Sequence, residues 1–250
     1  MKKKNFGYFM EPQNFSVNDG DGIRTIIFMA GCPLHCKWCA NPEGQNINNY
    51  LVKEYFVEQL LKIVERQEIF YKYSNGGVTF SGGEATIQQD MLRELVNKLY
   101  DKAINLALET SGYFEFHKIK DILQKIDLVF IDIKHMDEDM HLKYTGMSNK
   151  KILENIKELH ELNNDVVVRI PLIEGVNSSE DNIINTARFV KQHIPNPKIE
   201  LLPYHNFGDE KYEALGIEKP SREFKRPSEE KINRLKNLIK AEGVSVVSYK

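Results

Sequence analysis

The chain has 250 residues, with 34 Lys and Arg against 36 Asp and Glu, a formal net charge of −2. That balance excludes a general nucleic-acid binder, whose affinity needs a basic field to collect phosphates. Hydrophobic residues at 41% and charged residues at 28% are ordinary for a folded domain, and no apolar run approaches the about 18 residues of a membrane span.

The start, Met1-Lys2-Lys3-Lys4, is basic, but Asn5-Phe6-Gly7-Tyr8 follows instead of an apolar stretch. It does not read as a secretory signal, and the expected location is cytoplasmic. Asn-Asp-Gly-Asp-Gly (18–22) is a turn signal, with Asp19 inside it. The first strand is predicted over Arg24–Met29. The segment 30–44, AGCPLHCKWCANPEG, follows and holds all three cysteines of the chain, Cys32, Cys36 and Cys39. Phe56, Val57, Leu60, Leu61 and Val64 then recur at helical spacing. Further strands are predicted over 77–80, 105–109, 128–133, 166–170, 199–202 and 244–247. Several are apolar throughout, as strands buried on both faces are. Between them, helical spacing returns in Ile87, Met91, Leu95, Val96 and Leu99, in Ile152, Ile156 and Leu159, in Ile183, Ala187 and Val190, and in Ile232, Leu235 and Ile239. The alternation predicts one α/β domain over 1–250, with a parallel sheet that is open or closes into a whole or partial barrel. In such folds the chemistry sits at the C-terminal ends of the strands.

Three thiols on one short segment fit a reduced metal or cluster site better than a disulfide framework. A zinc knuckle completed by His35 or His135 is one reading, although structural zinc usually takes two ligand pairs set well apart. An iron–sulfur cluster is the other: thiolate is the soft ligand it takes, and a cubane normally uses four. With three, one iron lacks a protein ligand and is open to a substrate or cofactor.

Polar motifs stand at the predicted strand ends. TFSGGEAT (79–86) brings Gly82 and Gly83, whose missing side chains let a ligand approach the backbone, and Glu84, able to take an ammonium group. LALETSGYFE (106–115) brings Glu109, Thr110 and Ser111, readable also as a helix cap. LVFIDIKHMD (128–137) brings Asp132, Ile133 and Lys134, readable also as a surface ion pair. Arg169 lies in VVVRIPLIEGVN (166–177). His205 lies in IELLPYHNFGDEKYEALG (199–216), where a satisfied structural histidine is the plain alternative. Trp38 is otherwise a packing residue.

The C-x3-C-x2-C triplet with GGE and D-x-K resembles the radical S-adenosylmethionine (SAM) superfamily. The resemblance implies a partial (β/α)6 TIM-like barrel. It implies one [4Fe–4S] cluster on Cys32, Cys36 and Cys39, with SAM chelating the open iron through its amino and carboxylate groups. SAM contacts then fall to Trp38, Cys39 and Ala40 in the loop, and to Gly82, Gly83 and Glu84 at the methionine amino group. They fall also to Glu109, Thr110, Ser111, Asp132, Ile133, Arg169 and His205, and to Lys134 at the SAM carboxylate. The family's usual Asp-Thr-Asn-Gly is here Glu-Thr-Ser-Gly (109–112), and its carboxylate would share a monovalent cation.

Within the superfamily, NDGDGIRTIIFMAGC (18–32), GGVTFSGGEA (76–85), RIPLIEGVN (169–177) and LLPYH (201–205) are similar to the glycyl radical enzyme activating enzymes, over nearly the whole chain. That branch implies a flavodoxin or ferredoxin that reduces the cluster. SAM then splits to methionine and a 5′-deoxyadenosyl radical, which takes a Cα hydrogen from a glycine of a partner glycyl radical enzyme. Asp19 would hydrogen-bond the incoming glycine loop. The partner would be pyruvate formate-lyase or a dehydratase, decarboxylase or C–N lyase of the same kind, with no nucleic acid or membrane involved and the activase a monomer. Asp21 replaces the proline of D-G-P-G, and Ala40 replaces the histidine that pyruvate formate-lyase activators carry after the third cysteine. No cysteine lies in 45–83, so a ferredoxin-like insert is absent there. A radical SAM enzyme acting on a small molecule or another peptide would share the triplet and GGE, without reason to carry D-G-x-G-I-R or L-L-P-Y-H.

Overall fold

The computed structural model describes residues 6–249 apart from 160 and 163, so the basic residues 1–4 lie outside it. The described residues form one ten-stranded sheet. In chain order the strands are β1 (Phe6–Phe9), β2 (Gln13–Ser16), β3 (Arg24–Met29), β4 (Lys53–Phe56), β5 (Gly77–Gly82), β6 (Asn105–Thr110), β7 (Leu128–Asp132), β8 (Asp165–Leu172), β9 (Lys198–Pro203) and β10 (Ser245–Val246). Strands β3, β5, β6, β7, β8 and β9 are parallel neighbours in that order, with the short β10 parallel at one edge. At the other edge β1, β2 and β4 run antiparallel, and the two edges do not join. The expected partial TIM-like barrel is therefore present, open along one side.

Helices cover the outside: α1 (Val57–Glu65), α2 (Glu68–Ser74), α3 (Gln89–Tyr100), α4 (Phe116–Leu123), α5 (Glu138–Thr145), α6 (Lys150–Leu159), α7 (Glu180–His193), α8 (Asp209–Leu215) and α9 (Glu229–Ala241). Alternation along each strand divides its side chains. Leu106, Leu108, Val129, Ile131, Val168 and Ile170 pack outward under the helices in the main core. Ala107, Leu128, Phe130 and Val167 face inward and meet Val247 and Tyr249 inside the barrel. One step further along β6 to β9, the inward positions become Glu109, Asp132, Arg169 and Glu200. Strand register sets Asp132 beside Arg169 and Arg169 beside Glu200. Hydrophobic strands thus deliver their few charged residues to one end of the lumen.

Candidate active site

The segment after β3 and the strand ends share one cleft. Cys32, Leu34, Cys36 and Trp38 line a cleft of about 250 Å³, together with Cys39 and Ala40, while the intervening His35 and Lys37 are exposed. Both flanks are fixed. His35 N donates to Thr145 O (2.7 Å) and Lys37 N to Tyr144 O (3.0 Å) at the end of α5. From α8, Tyr212 Oη donates to Cys39 O (2.8 Å) and Lys211 Nζ reaches Asn41 Oδ1 (2.8 Å) and Glu43 (2.5 Å). Trp38 packs on Tyr144 and Phe224 at ring separations of 5.7 Å.

Burial pushes all three thiols up: Cys36 to about 12, and Cys32 and Cys39 upward as well, with Glu84 adding to the effect at Cys32. Lys134 opposes the rise at Cys36 and Cys39. Such thiols stay protonated at neutral pH unless a metal takes the proton's place. Among the described residues no group of three or more His, Cys, Asp or Glu could hold a metal ion by itself. All three thiols line one cleft and the chain has no fourth cysteine, a donor set that suits an iron–sulfur cluster with one open iron better than the closed tetrahedron of structural zinc.

The Gly-Gly turn is stitched to this segment. Gly83 N donates to Met29 O (2.9 Å), Glu84 N to Gly31 O (2.7 Å), and Gly31 N to Gly44 O (2.8 Å). A Cβ on Gly82, whose φ is +126°, would stand 2.2 Å from Met29 O, and one on Gly83 would stand 2.2 Å from Gly44 O. Both glycines line the cleft, but the backbone that approaches them is the chain's own. Glu84 does not line it. Its carboxylate is fully buried and accepts from Thr86 N and Oγ1, from Thr110 Oγ1, and from Ser111 N and Oγ. Here the side chain expected to take a ligand's ammonium ties its own Ala85–Thr86 segment to the Thr110–Ser111 turn.

The other predicted residues divide clearly. Glu109, Thr110, Ser111, Asp132, Lys134, Arg169 and His205 all line the cleft. Ile133 does not; alternation turns it outward into the main core, and only its backbone participates, donating to Arg169 O (3.0 Å). Lys134 donates to Asp132 Oδ2 (2.5 Å). Burial works against its charge, but Asp132 and then Cys36 outweigh it and hold the ammonium well above its ordinary range. Arg169 Nη1 donates to Glu109 Oε1, its Nε to Glu200 Oε2 (2.8 Å) and its Nη2 to Asn18 O (3.3 Å), with the guanidinium 3.5 Å above the Phe130 ring. Ser81 Oγ donates to the other Glu109 oxygen (2.6 Å). Burial still pushes Glu109 up despite Arg169. His205 stacks on Phe207 at 4.5 Å, and burial, then Arg226, pushes it down. Asp19 is outside the cleft lining. Its carbonyl accepts from Thr79 Oγ1 (2.7 Å) and its carboxylate from Ser16 Oγ.

Ser81, Gln45, Pro171, Ile173 and Tyr204 also line the cleft and were not singled out from sequence. Ser81 was findable: it shares the inward register of Thr79, one residue before Gly82. The lining fits SAM, with Leu34, Trp38 and Ile173 as apolar wall and paired charges for an amino-acid end. The two carboxylates nearest the expected cation position are paired, Glu109 with Arg169 and Ser81 and Asp132 with Lys134.

The model of the Radical SAM superfamily matches residues 26–189. The chain is 34% identical to the trans-4-hydroxy-L-proline dehydratase activating enzyme of Clostridioides difficile, covering 92% of this chain and 94% of that one. It is also 34% identical to the pyruvate formate-lyase-activating enzyme of Clostridium pasteurianum, covering 91% and 94%. The first alignment runs over 286 positions, more than this chain possesses, so that relative carries segments missing here; the second needs 228. Among solved structures, a domain of pyruvate-formate lyase-activating enzyme from Bacteroides vulgatus superposes with a TM-score of 0.58 at 29% identity, covering 69% of this chain and 98% of that one.

Proposed function

The chain belongs to the radical SAM superfamily, in its branch of glycyl radical enzyme activating enzymes, and on that premise we propose that it installs a glycyl radical on a partner enzyme. The observation that carries this reading is the convergence of three thiols with the strand-end charges on one cleft and with no fourth cysteine in the chain. A [4Fe–4S] cluster with SAM supplies one-electron cleavage of SAM and a carbon radical able to take a glycine Cα hydrogen.

The chain's own residues bind, orient and exclude water. Cys32, Cys36 and Cys39 hold the cluster. Lys134, released from Asp132, meets the SAM carboxylate, and Trp38 covers the adenine side. Arg169 keeps Glu109 against the cleft wall. The leucine and aromatic lining keeps solvent from a radical that would attack any nearby C–H bond. Asp19 and the 18–22 loop receive the partner's glycine segment.

The partner is a glycyl radical enzyme of the lyase, decarboxylase or dehydratase kind, the electron donor a flavodoxin or ferredoxin, and the location cytoplasmic, where thiols stay reduced. Length matches the compact pyruvate formate-lyase activators, whereas Ala40 is the dehydratase-like choice. The test is anaerobic reconstitution followed by mixing with SAM, a reductant and candidate partners. A glycyl radical doublet in the electron paramagnetic resonance spectrum is expected; a colourless protein that retains only zinc would overturn the reading.

A further inference from the structure

Alternation in the cysteine loop separates two faces. Cys32, Leu34, Cys36 and Trp38 point to the cleft, while His35 and Lys37 point to solvent. The same short segment thus presents its thiols to the cleft and two polar side chains to the outside. On that outer side the end of α5 lies against the loop through the His35–Thr145 and Lys37–Tyr144 backbone bonds. The Lys37 and Lys143 ammonium groups sit 5.5 Å and 5.0 Å from the centroid of the Tyr144 ring. Among the described residues neither lysine is in an ion pair. Beside them Leu142 is 50% exposed. The acids of α5 are at its opposite end, where Glu138 pairs with Lys150. The outer face is thus a cationic patch with an aromatic and aliphatic centre, and Tyr144 is the ring against which Trp38 packs from the cleft side.

Resting on the function proposed above, we infer that this face, built from His35, Lys37, Leu142, Lys143 and Tyr144, is where an acidic one-electron carrier protein docks. The cleft side is committed to SAM and to the partner's glycine segment, so the electron must arrive from elsewhere. Cys36 stands in the chain between the two exposed residues of this patch, His35 and Lys37. Electrons balance simply: the carrier loses one and the cluster gains one, with no proton or bond transferred between the proteins. Two unpaired lysines on a rim act chiefly by steering an oppositely charged partner into contact, so the association should weaken as salt rises.

The test uses the reconstituted protein and its Lys37→Glu, Lys143→Glu and double variants, with a milder Lys37→Gln/Lys143→Gln pair in case charge reversal disturbs the loop. Affinity for oxidised flavodoxin and, separately, for oxidised ferredoxin is measured by titration across ionic strength. Cluster reduction is followed with each reduced carrier and with a small deazaflavin photoreductant. The double variant should bind its carrier at least about tenfold more weakly and show a flatter salt dependence, while photoreduction and SAM binding stay at wild-type levels. Wild-type carrier affinity in both double variants overturns the inference. So does a loss of affinity for the glycyl radical partner with carrier affinity unchanged, which would make the patch the partner's surface. Carrier affinity is read without SAM cleavage. A photoreduced protein that leaves SAM intact would therefore count against the proposed function and not against the docking face.

Discussion

Glu84 shows how a motif can be visible while the structural part of its chemistry is not. GGE stands out in the sequence because two glycines before an acid at a strand end invite a ligand. In the structure the acid is turned away from the cleft and organises the next strand end, accepting from Thr110 and Ser111 across 26 and 27 residues of chain. No one-dimensional pattern reports which side of a strand end a carboxylate falls on. Replacing Glu84 by Ala strands two buried amide N–H groups and three hydroxyls, and each buried donor left without a partner costs about 1–3 kcal/mol. We expect a loss of roughly 3 kcal/mol or more in urea unfolding without SAM; a change under about 1 kcal/mol would mean that water replaces the carboxylate. The cysteines behave differently. The loop around Cys36 is held by the backbone bonds of His35 and Lys37 to α5, so Cys36→Ala should fold with a near-wild-type urea midpoint yet lose SAM cleavage under reducing conditions. Retained cleavage would overturn the ligand assignment.

At the scale of elements, the seven strand segments read from sequence correspond to strands, because each is a short apolar run set between polar turns. Two are shortened, 128–133 by one residue to Leu128–Asp132 and the last to Ser245–Val246. Strands β1, β2 and β4 were not predicted. Each has only four residues; β2 and β4 are largely exposed, and Phe15 in β2 has a φ of +62°, so neither a long hydrophobic run nor clean alternation marks them. Helices α2, α5 and α8 are seven or eight residues long, too short for a helical period to repeat. Two of these short helices, α5 and α8, brace the cysteine loop.

Helix α5 also carries a measurable signature. His141 is buried with Nδ1 2.6 Å from Met147 O, and His135 Nδ1 accepts from Asp137 N (3.0 Å). Burial lowers both imidazoles below their ordinary 6.5. The folded state therefore refuses protons that the unfolded chain accepts. Their contribution to stability is complete above pH 6.5 and is lost as pH falls from there through the lowered folded values. Urea midpoints should drop between about pH 7.5 and 5.5. His141→Gln should flatten part of that slope, and replacement of the exposed His117 should not. An unchanged slope in His141→Gln would show that the imidazole is protonated in place.

Across the whole molecule, the open barrel explains why residues far apart in sequence act on one another. Arg169 on β8 bonds Glu109 on β6, Glu200 on β9 and the carbonyl of Asn18, which precedes the first parallel strand. Glu200 in turn accepts from Tyr249 N (2.9 Å), so the chain near residue 249 is tied into the same lumen. Arg24, fully buried, holds the loop from the other side through Asp21 O (3.1 Å), Thr79 Oγ1 (2.7 Å) and Asn105 Oδ1 (2.9 Å). This is the physical content of the D-G-x-G-I-R segment: its arginine anchors the turn inside the barrel. The loop's backbone is thus fixed by inward residues of β5, β6 and β8, while the Asp19 carboxylate bonds only Ser16, three residues away, and is half-buried. On the proposed function it is this carboxylate, not needed to hold the turn, that would meet the partner's segment. Asp19→Ala should accordingly leave folding and partner-free SAM cleavage close to wild type. Loss of a hydrogen bond from a charged acceptor to the incoming segment, worth about 1.5–3 kcal/mol, should lower glycyl radical formation by roughly 10- to 100-fold. Spin quantitation of the radical alongside a methionine assay on the same samples separates the two effects. Equal loss of both would show that Asp19 serves the barrel and not the partner.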